Sequence, residues 1–349
     1  MSGGGRLERL LGIDHPIVLG AFGGMSSVAL TAAVSNAGGL GSFGLYGYDA
    51  ARIAETADAL RAATDRPFAL NLWLPIPGEP DPAPTDAELA QHVQALSPYF
   101  AELGLQPPEL PDRFAPSVDE QLDAVLAARP AVLSVVFGVP SERLVDAVRA
   151  AGIRLLGTAT TVDEAVALEA AGVDAVVASG SEAGGHRVSF LRPAEESLVG
   201  LVSLLPQVVD AVDVPVIAAG GIADARGVRA ALALGADGVQ VGTAFLAARE
   251  SAAADAYRAA ILAAGAADTV LTRGPSGRLA RGLPNRLTRE LTTPAPFPIQ
   301  NWLTGRFRSV AGERGIVDLM SLWAGQSAGL SRGGSAHDVM AELLRGVSR

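Results

Sequence analysis

The chain contains no cysteine and no lysine. Without cysteine it has no disulfide, no thiolate nucleophile and no zinc site of the Cys type. Without lysine it has neither a Schiff-base amine nor a Walker-type phosphate lysine, so all 27 basic residues are arginine. An Ala- and Arg-rich composition of this kind fits a genomic bias better than a functional choice. Positive charge is also short overall: 37 acids against 27 bases leave a net charge of −10 and a pI ≈ 5.0. Nucleic acid is therefore not expected as a partner, since binding it needs a basic face that displaces counterions. No His/Asp/Glu cluster has metal-ligand spacing, and no metal is expected. Residues 1–6 lack the basic-then-apolar run of a secretory signal. The uncharged stretch 16–48 is broken every few residues by glycine, serine or Asn36, which disqualifies it as a membrane span. A cytoplasmic protein is the expectation.

What is present is apolar material in a regular rhythm. Of the 349 residues 49% are hydrophobic, and the mean hydropathy is +0.30, ample for a large core. Short apolar runs at 17–19, 40–42, 68–72, 132–136, 154–157, 175–178, 214–218 and 238–241 alternate with Ala-rich helical stretches at 27–37, 50–63, 141–151, 162–171, 198–209 and 225–234. This is the pattern of repeated βα units on a parallel sheet. Gly38, Gly152, Gly172 and Gly235 stand where a left-handed residue stops a helix. Eight strands predict an α/β fold of the (β/α)8 TIM-barrel type rather than an open doubly wound sheet. Two regions break the rhythm. Residues 75–118 form a proline-rich insertion (Pro75, Pro77, Pro80, Pro82, Pro84, Pro107, Pro108, Pro111 and Pro116) around a helical stretch at 86–103. Residues 251–315 hold a helix at 252–263 and then a proline- and arginine-rich segment, read as a smaller lid-like subdomain over the barrel mouth. The barrel then covers 1–250, and 316–349 returns to it, with a helix expected at 317–323.

Chemistry concentrates at the strand ends. The sixth strand runs into Ser179-Gly180-Ser181-Glu182-Ala183-Gly184-Gly185-His186, where glycines admit a flat or charged ligand and the imidazole is suited to proton transfer near neutral pH. After the seventh and eighth strands come Gly220-Gly221 and Gln240-Val241-Gly242-Thr243. The loops after these two strands commonly hold phosphate in this fold, and their backbone N–H groups and a helix N-terminus would do so without lysine. Ordinary βα turns also use glycine; it is the two loops in consecutive units that favour a ligand. Ala21 and Phe22 leave the first strand among small residues, and Asn71 ends the third, where it fits a ring-binding amide or a loop cap.

These motifs resemble the nitronate monooxygenase family, formerly the 2-nitropropane dioxygenases, whose relatives include flavin-dependent enoyl-acyl-carrier-protein reductases. The resemblance spans nearly the whole chain. It rests on Ala33-Val34-Ser35-Asn36-Ala37-Gly38-Gly39-Leu40-Gly41, Asn71, Glu182-Ala183-Gly184-Gly185-His186, Ala219-Gly220-Gly221-Ile222, Gly238-Val239-Gln240-Val241-Gly242-Thr243 and Leu322-Trp323-Ala324-Gly325-Gln326. It implies an FMN-dependent enzyme in which His186 is the catalytic base or nitronate partner. Asn71, Gly220, Gly221, Gln240, Gly242 and Thr243 would contact FMN, with Ala21 and Phe22 beneath its ring and Gly184 and Gly185 beside it. Gln326 and Ser327 would lie where the C-terminal segment returns to the flavin. The implied reaction takes a nitronate and O2 to a carbonyl compound and nitrite. Two departures are present: at the flavin-facing position where the family usually has Gln stands the shorter Ser179, and the family's substrate-binding C-terminal Tyr/Tyr/Lys cluster has no counterpart.

The implied partners are a small-molecule substrate and O2, with neither nucleic acid nor membrane; a homodimer stays open. Glu182 is read as a loop anchor that accepts backbone N–H bonds and holds His186 in orientation, in preference to a second acid/base group. Arg273, Arg278 and Arg281 are candidates to meet an anion from the lid, although surface arginines more often pair with acids. An NAD(P)H-dependent flavin reductase of a quinone or enoyl thioester is the main alternative. A non-flavin isomerase or lyase with a phosphorylated substrate is another.

Overall fold

Eight apolar runs become eight parallel strands, each within two residues of its expected start and end. The computed structural model describes residues 5–76, 79 and 84–347, so Pro77, Pro80 and Pro82 of the insertion lie outside the described residues. The strands are β1 (Ile17–Leu19), β2 (Gly41–Gly44), β3 (Phe68–Trp73), β4 (Val132–Val136), β5 (Arg154–Ala159), β6 (Ala175–Ser179), then, after a two-residue strand β7 (Gly185–His186), β8 (Val216–Ala219) and β9 (Gly238–Val241). The sheet order β1-β9-β8-β6-β5-β4-β3-β2 brings the first two strands to opposite edges. A parallel bridge from Val18 to Leu40 joins those edges. The result is a (β/α)8 barrel.

Alternation along the strands builds two layers of core. Val18, Ala69, Val132, Leu156, Ala175, Val177 and Ile217 pack with Leu7 and Leu11 of the helix Arg6–Leu11, which plugs the amino end of the barrel. The other set, including Ile17, Leu19, Leu70 and Leu133, packs under the surrounding helices. Ser27, Asp49, Ser141, Thr161 and Asp224 each start a helix by accepting a backbone N–H from its first turn. All four expected stop glycines have positive φ, up to 99° at Gly235.

The regions outside the rhythm hold most of the corrections. The helix Val118–Ala128 begins where the insertion was expected to end, started by a Ser117–Glu120 capping box, and buries Leu122 and Val125 against the barrel. In the segment read only as proline- and arginine-rich, Ile299–Arg314 is a 16-residue helix. Its prolines (Pro294, Pro296 and Pro298) all precede the first turn, where a missing N–H is tolerated. Ile299, Leu303, Phe307 and Ala311, four apart, form its buried face. The expected helix at 317–323 is only a 3₁₀ turn, Val317–Leu319. Beyond it the backbone is extended: Leu283 N–H donates to Leu322 O (2.8 Å), and Trp323 bridges Gly282. The remaining strands, β10 (Val270–Thr272) and β11 (Ala280–Gly282), pair antiparallel.

The insertion and the 251–315 segment share one core. Leu96, Tyr99, Phe100 and Leu103 of the helix Asp86–Leu103 pack with Leu287, Ile299, Leu303 and Phe307. Rings of Tyr99 and Phe100 lie 5.6 and 5.3 Å from that of Phe307. Two excursions separated by the whole of 119–250 thus form a single body beside the barrel's carboxyl face.

Candidate active site

The loop that leaves β6 is held on three sides. Gly185–His186 is an edge strand of a small sheet, β10-β11-β7, with His186 opposite Ala280 and Gly185 opposite Arg281. On a second side Gly184 meets the C-terminal segment so closely that a Cβ there would lie 2.5 Å from Gly325 N. Gln326 N–H donates to Glu182 O (2.9 Å), and Gly325 N–H to Thr243 Oγ1 (2.9 Å). On the third side buried Arg187 donates to the carbonyls of Thr160, Ser179, Gly180 and Ser197. Burial lowers the pKa of this guanidinium to about 10, so it stays charged at neutral pH. The Glu182 carboxylate accepts from Leu201 N–H (2.9 Å), at the start of the helix Leu201–Ala211. It anchors the loop there and makes no bond to His186.

These loops surround a cavity of about 490 Å³ at the carboxyl end of the strands. That volume lies within the ~300–1,000 Å³ of small-molecule sites. Ala21, Phe22, Asn71, Ser179, Gly184, Gly185, His186, Gly220, Gly221, Gln240, Gly242, Thr243 and Ser327 all line it. Gln326 does not; its side chain is exposed, and its backbone N–H is what ties it to the loop. The floor suits a flat ligand: a Cβ at Gly23, Gly24 or Gly185 would meet nothing within 4 Å. Asn71 Nδ2 donates to Ser134 O (3.2 Å) and Oγ (2.9 Å), which fixes the amide and leaves its Oδ1 to accept. At the expected phosphate end, Gly220 and Gly221 take positive φ (103° and 71°), opening the backbone toward the cavity. The helix Ala225–Ala233 offers less than expected, because Asp224 already caps it through Arg226 N–H and Gly227 N–H. A phosphate here would have to be met by the loop amides.

The opposite wall is aromatic and cationic. His186 Nε2 lies 2.9 Å from Ser276 Oγ, a residue between β10 and β11. Its ring sits 5.2 Å from Trp73 and 5.4 Å from Trp323. Phe137, held at φ 74° beyond β4, packs 4.7 Å from Trp73. Burial, then the positive charges of Arg278 and Arg308, push the imidazole down to about 3, so it is neutral at physiological pH. Burial likewise raises Tyr46, which stacks 4.4 Å from Trp73. Tyr46, Tyr48, Trp73, Asn301, Arg308 and Trp323 line the cavity, and reading the sequence assigned a role to none of them. The family's C-terminal tyrosines are absent, yet Tyr46 and Tyr48 reach the same cavity from the segment after β2. Of the candidate arginines, Arg273 pairs with Glu195 (2.7 Å) and Arg278 with Glu79. Arg281 donates to Ser181 O (2.8 Å) and Thr269 Oγ1 (3.1 Å).

The fold and this cavity agree with what the chain is similar to. The nitronate monooxygenase family model matches residues 5–346. A probable nitronate monooxygenase of Staphylococcus aureus strain Newman is 39% identical over 349 residues, covering 99% of this chain and 97% of the relative. The crystal structure of a nitroalkane oxidase from Streptomyces ansochromogenes is 38% identical and covers 98% of this chain and 99% of its own, with a TM-score of 0.88. FabK from Thermotoga maritima is 29% identical, covering 99% of this chain and 96% of its own, with a TM-score of 0.78. With the match running from the amino-terminal plug to the last helix, the chain belongs to the nitronate monooxygenase family of flavin-dependent oxidoreductases.

Proposed function

We propose that the enzyme binds FMN and oxidises alkyl nitronates, such as propionate 3-nitronate, with O2 to a carbonyl compound and nitrite. The observation that carries this reading is the convergence of His186 and glycine-bearing ends of β1, β6, β8 and β9 on one cavity. A tricyclic ring needs a floor without side chains, and the cavity offers one beside the imidazole. When bound, the flavin accepts electrons from the nitronate and passes them to O2. In this reading the amides of Gly220, Gly221, Gly242 and Thr243 hold the phosphate. Asn71 Oδ1 accepts from a ring N–H, and Gln240 and Ser327 add polar contacts. Ala21 and Phe22 lie under the ring, and Gly184 and Gly185 at its side. Ser179 is too short to replace the family's Gln directly, and Gln326 contributes its backbone alone.

His186 supplies proton transfer. Ser276 Oγ lies 2.9 Å from His186 Nε2 and 3.2 Å from Arg278 O; in the tautomer this reading uses, His186 Nε2–H donates to Ser276 Oγ. That leaves Nδ1 with its lone pair, neutral and available for the α-proton of a nitroalkane or as a partner for the nitronate. The partners in this reading are the small-molecule substrate and O2. Nucleic acid and membrane are not among them, the site of action is the cytoplasm, and a homodimer stays compatible with it. Among the described residues no helix is long and apolar enough to cross a membrane.

The test is spectroscopic. The purified protein is expected to carry a flavin spectrum that bleaches without oxygen on adding propionate 3-nitronate, with nitrite formed when air is readmitted. A protein whose flavin is untouched by nitronates but reduced quickly by NAD(P)H would be the reductase of a quinone or enoyl thioester. The structural similarity to FabK, weaker than that to the nitroalkane oxidase, is the observation that bears on this second reading.

A further inference from the structure

Among the described residues, two arginines line the cavity with no acid in ion-pairing distance: Arg52, which is exposed and lies over the Tyr48 ring, and Arg308. Among the described residues, Arg273, Arg278 and Arg286 each pair with a glutamate. Arg308, half-buried on the helix Ile299–Arg314, has no carboxylate within ion-pairing distance among the described residues. Its terminal nitrogens are occupied by neutral acceptors: Ser321 Oγ (2.5 Å), Asn301 O (3.1 Å) and Asn301 Oδ1 (2.7 Å). Its Nε is sealed from solvent and has no hydrogen-bond partner. The side chain lines the cavity together with Asn301 and Tyr46. A guanidinium charge held in the wall without a counter-ion is costly unless an anion in the cavity meets it. Burial lowers its pKa only to about 10, so the charge persists at neutral pH. The neutral His186 supplies no charge of its own.

We propose that Arg308 recognises a planar two-oxygen anion on the substrate through its uncompensated charge at the cavity wall. The proposal rests on the nitronate reading for the choice of substrate and deepens it. Nitronate and carboxylate share this shape and charge, and the flat guanidinium fork matches both. Asn301 and Ser321 hold the terminal nitrogens, so the fork meets its ligand already oriented. Arg278 does not substitute for it, because Glu79 neutralises that side chain and Phe297 covers it at 3.9 Å.

The experiment compares wild type, Arg308→Met and Arg308→Lys on three compounds of equal chain length: propionate 3-nitronate, propyl-1-nitronate and neutral 1-nitropropane. The same flavin-loaded proteins are titrated calorimetrically with succinate, which carries two carboxylates and is not turned over. In Arg308→Met, kcat/KM for propionate 3-nitronate is expected to fall about 100-fold relative to that for 1-nitropropane, mainly through KM. Succinate affinity should fall in step, and Arg308→Lys should recover roughly tenfold as a point charge without the fork. A loss confined to propionate 3-nitronate assigns the contact to the carboxylate; an equal loss on both nitronates assigns it to the nitronate. Equal losses on all three compounds, or succinate binding as tight as in wild type, overturn the proposal. If no nitronate reduces the wild-type flavin, the functional reading fails and the succinate titration alone decides Arg308.

Discussion

At the scale of single residues, the proposed chemistry turns on the imidazole of His186. Loss of the base in His186→Ala is expected to slow turnover of a neutral nitroalkane by roughly 10²–10⁴-fold. A pre-formed nitronate should suffer less, and flavin should stay bound; flavin release with unaltered residual rates would make the histidine structural. The depressed pKa also has a stability consequence. An unfolded chain takes up this proton near pH ~6.5, whereas the fold resists it down to about 3. Stability is therefore intact above ~6.5 and is lost as the pH falls toward 3, because only the unfolded state gains the proton. Wild type should thus lose more denaturation free energy between about pH 7 and pH 4 than His186→Gln, as urea midpoints at each pH would report. Equal losses would assign the acid sensitivity to other groups. His186 could be picked out from the sequence because its glycines and its strand are adjacent to it. Ser276 could not, since it stands 90 positions away and only folding brings it within hydrogen-bonding distance. Arg308 is one of 27 arginines, and isolation from acids is a property of space that no spacing encodes.

At the scale of elements, the clearest case is the crossing of the β6 loop and the C-terminal segment at Gly184. The obstacles to a side chain there are Gly325 N at 2.5 Å and Ala324 C at 2.6 Å, both backbone atoms that no rotamer change can move. Gly184→Ala should displace the loop enough to lower kcat by about 100-fold, the usual effect of an ångström-scale misplacement. The barrel's far-ultraviolet dichroism should be retained; near-normal turnover would show that the crossing can relax. Strands and capped helices of the barrel were readable because period, cap and stop glycine agree locally. The helix Ile299–Arg314 was hidden by the prolines before it, although its four-residue apolar spacing was present. The stretch 317–323 has the composition of a helix, but after one 3₁₀ turn, pairing with β11 and Leu283 holds its end extended.

At the scale of the whole molecule, the barrel followed from counting strands, but the second body did not. Its two halves come from the 75–118 and 251–315 excursions, and nothing in either announces the other. Phe307 sits at their junction, fully buried against Tyr99 and Phe100. Phe307→Ala should cost roughly 3–5 kcal/mol. Hydrogen exchange should report it as lost protection in Asp86–Leu103 and Ile299–Arg314 while the barrel strands keep theirs. Uniform loss across the molecule would show that barrel and second body unfold as one. The pairing of β7 with β11 has a last consequence. The imidazole is stitched to the 251–315 segment as well as to the barrel beneath it, so any displacement of that segment would be felt first at His186.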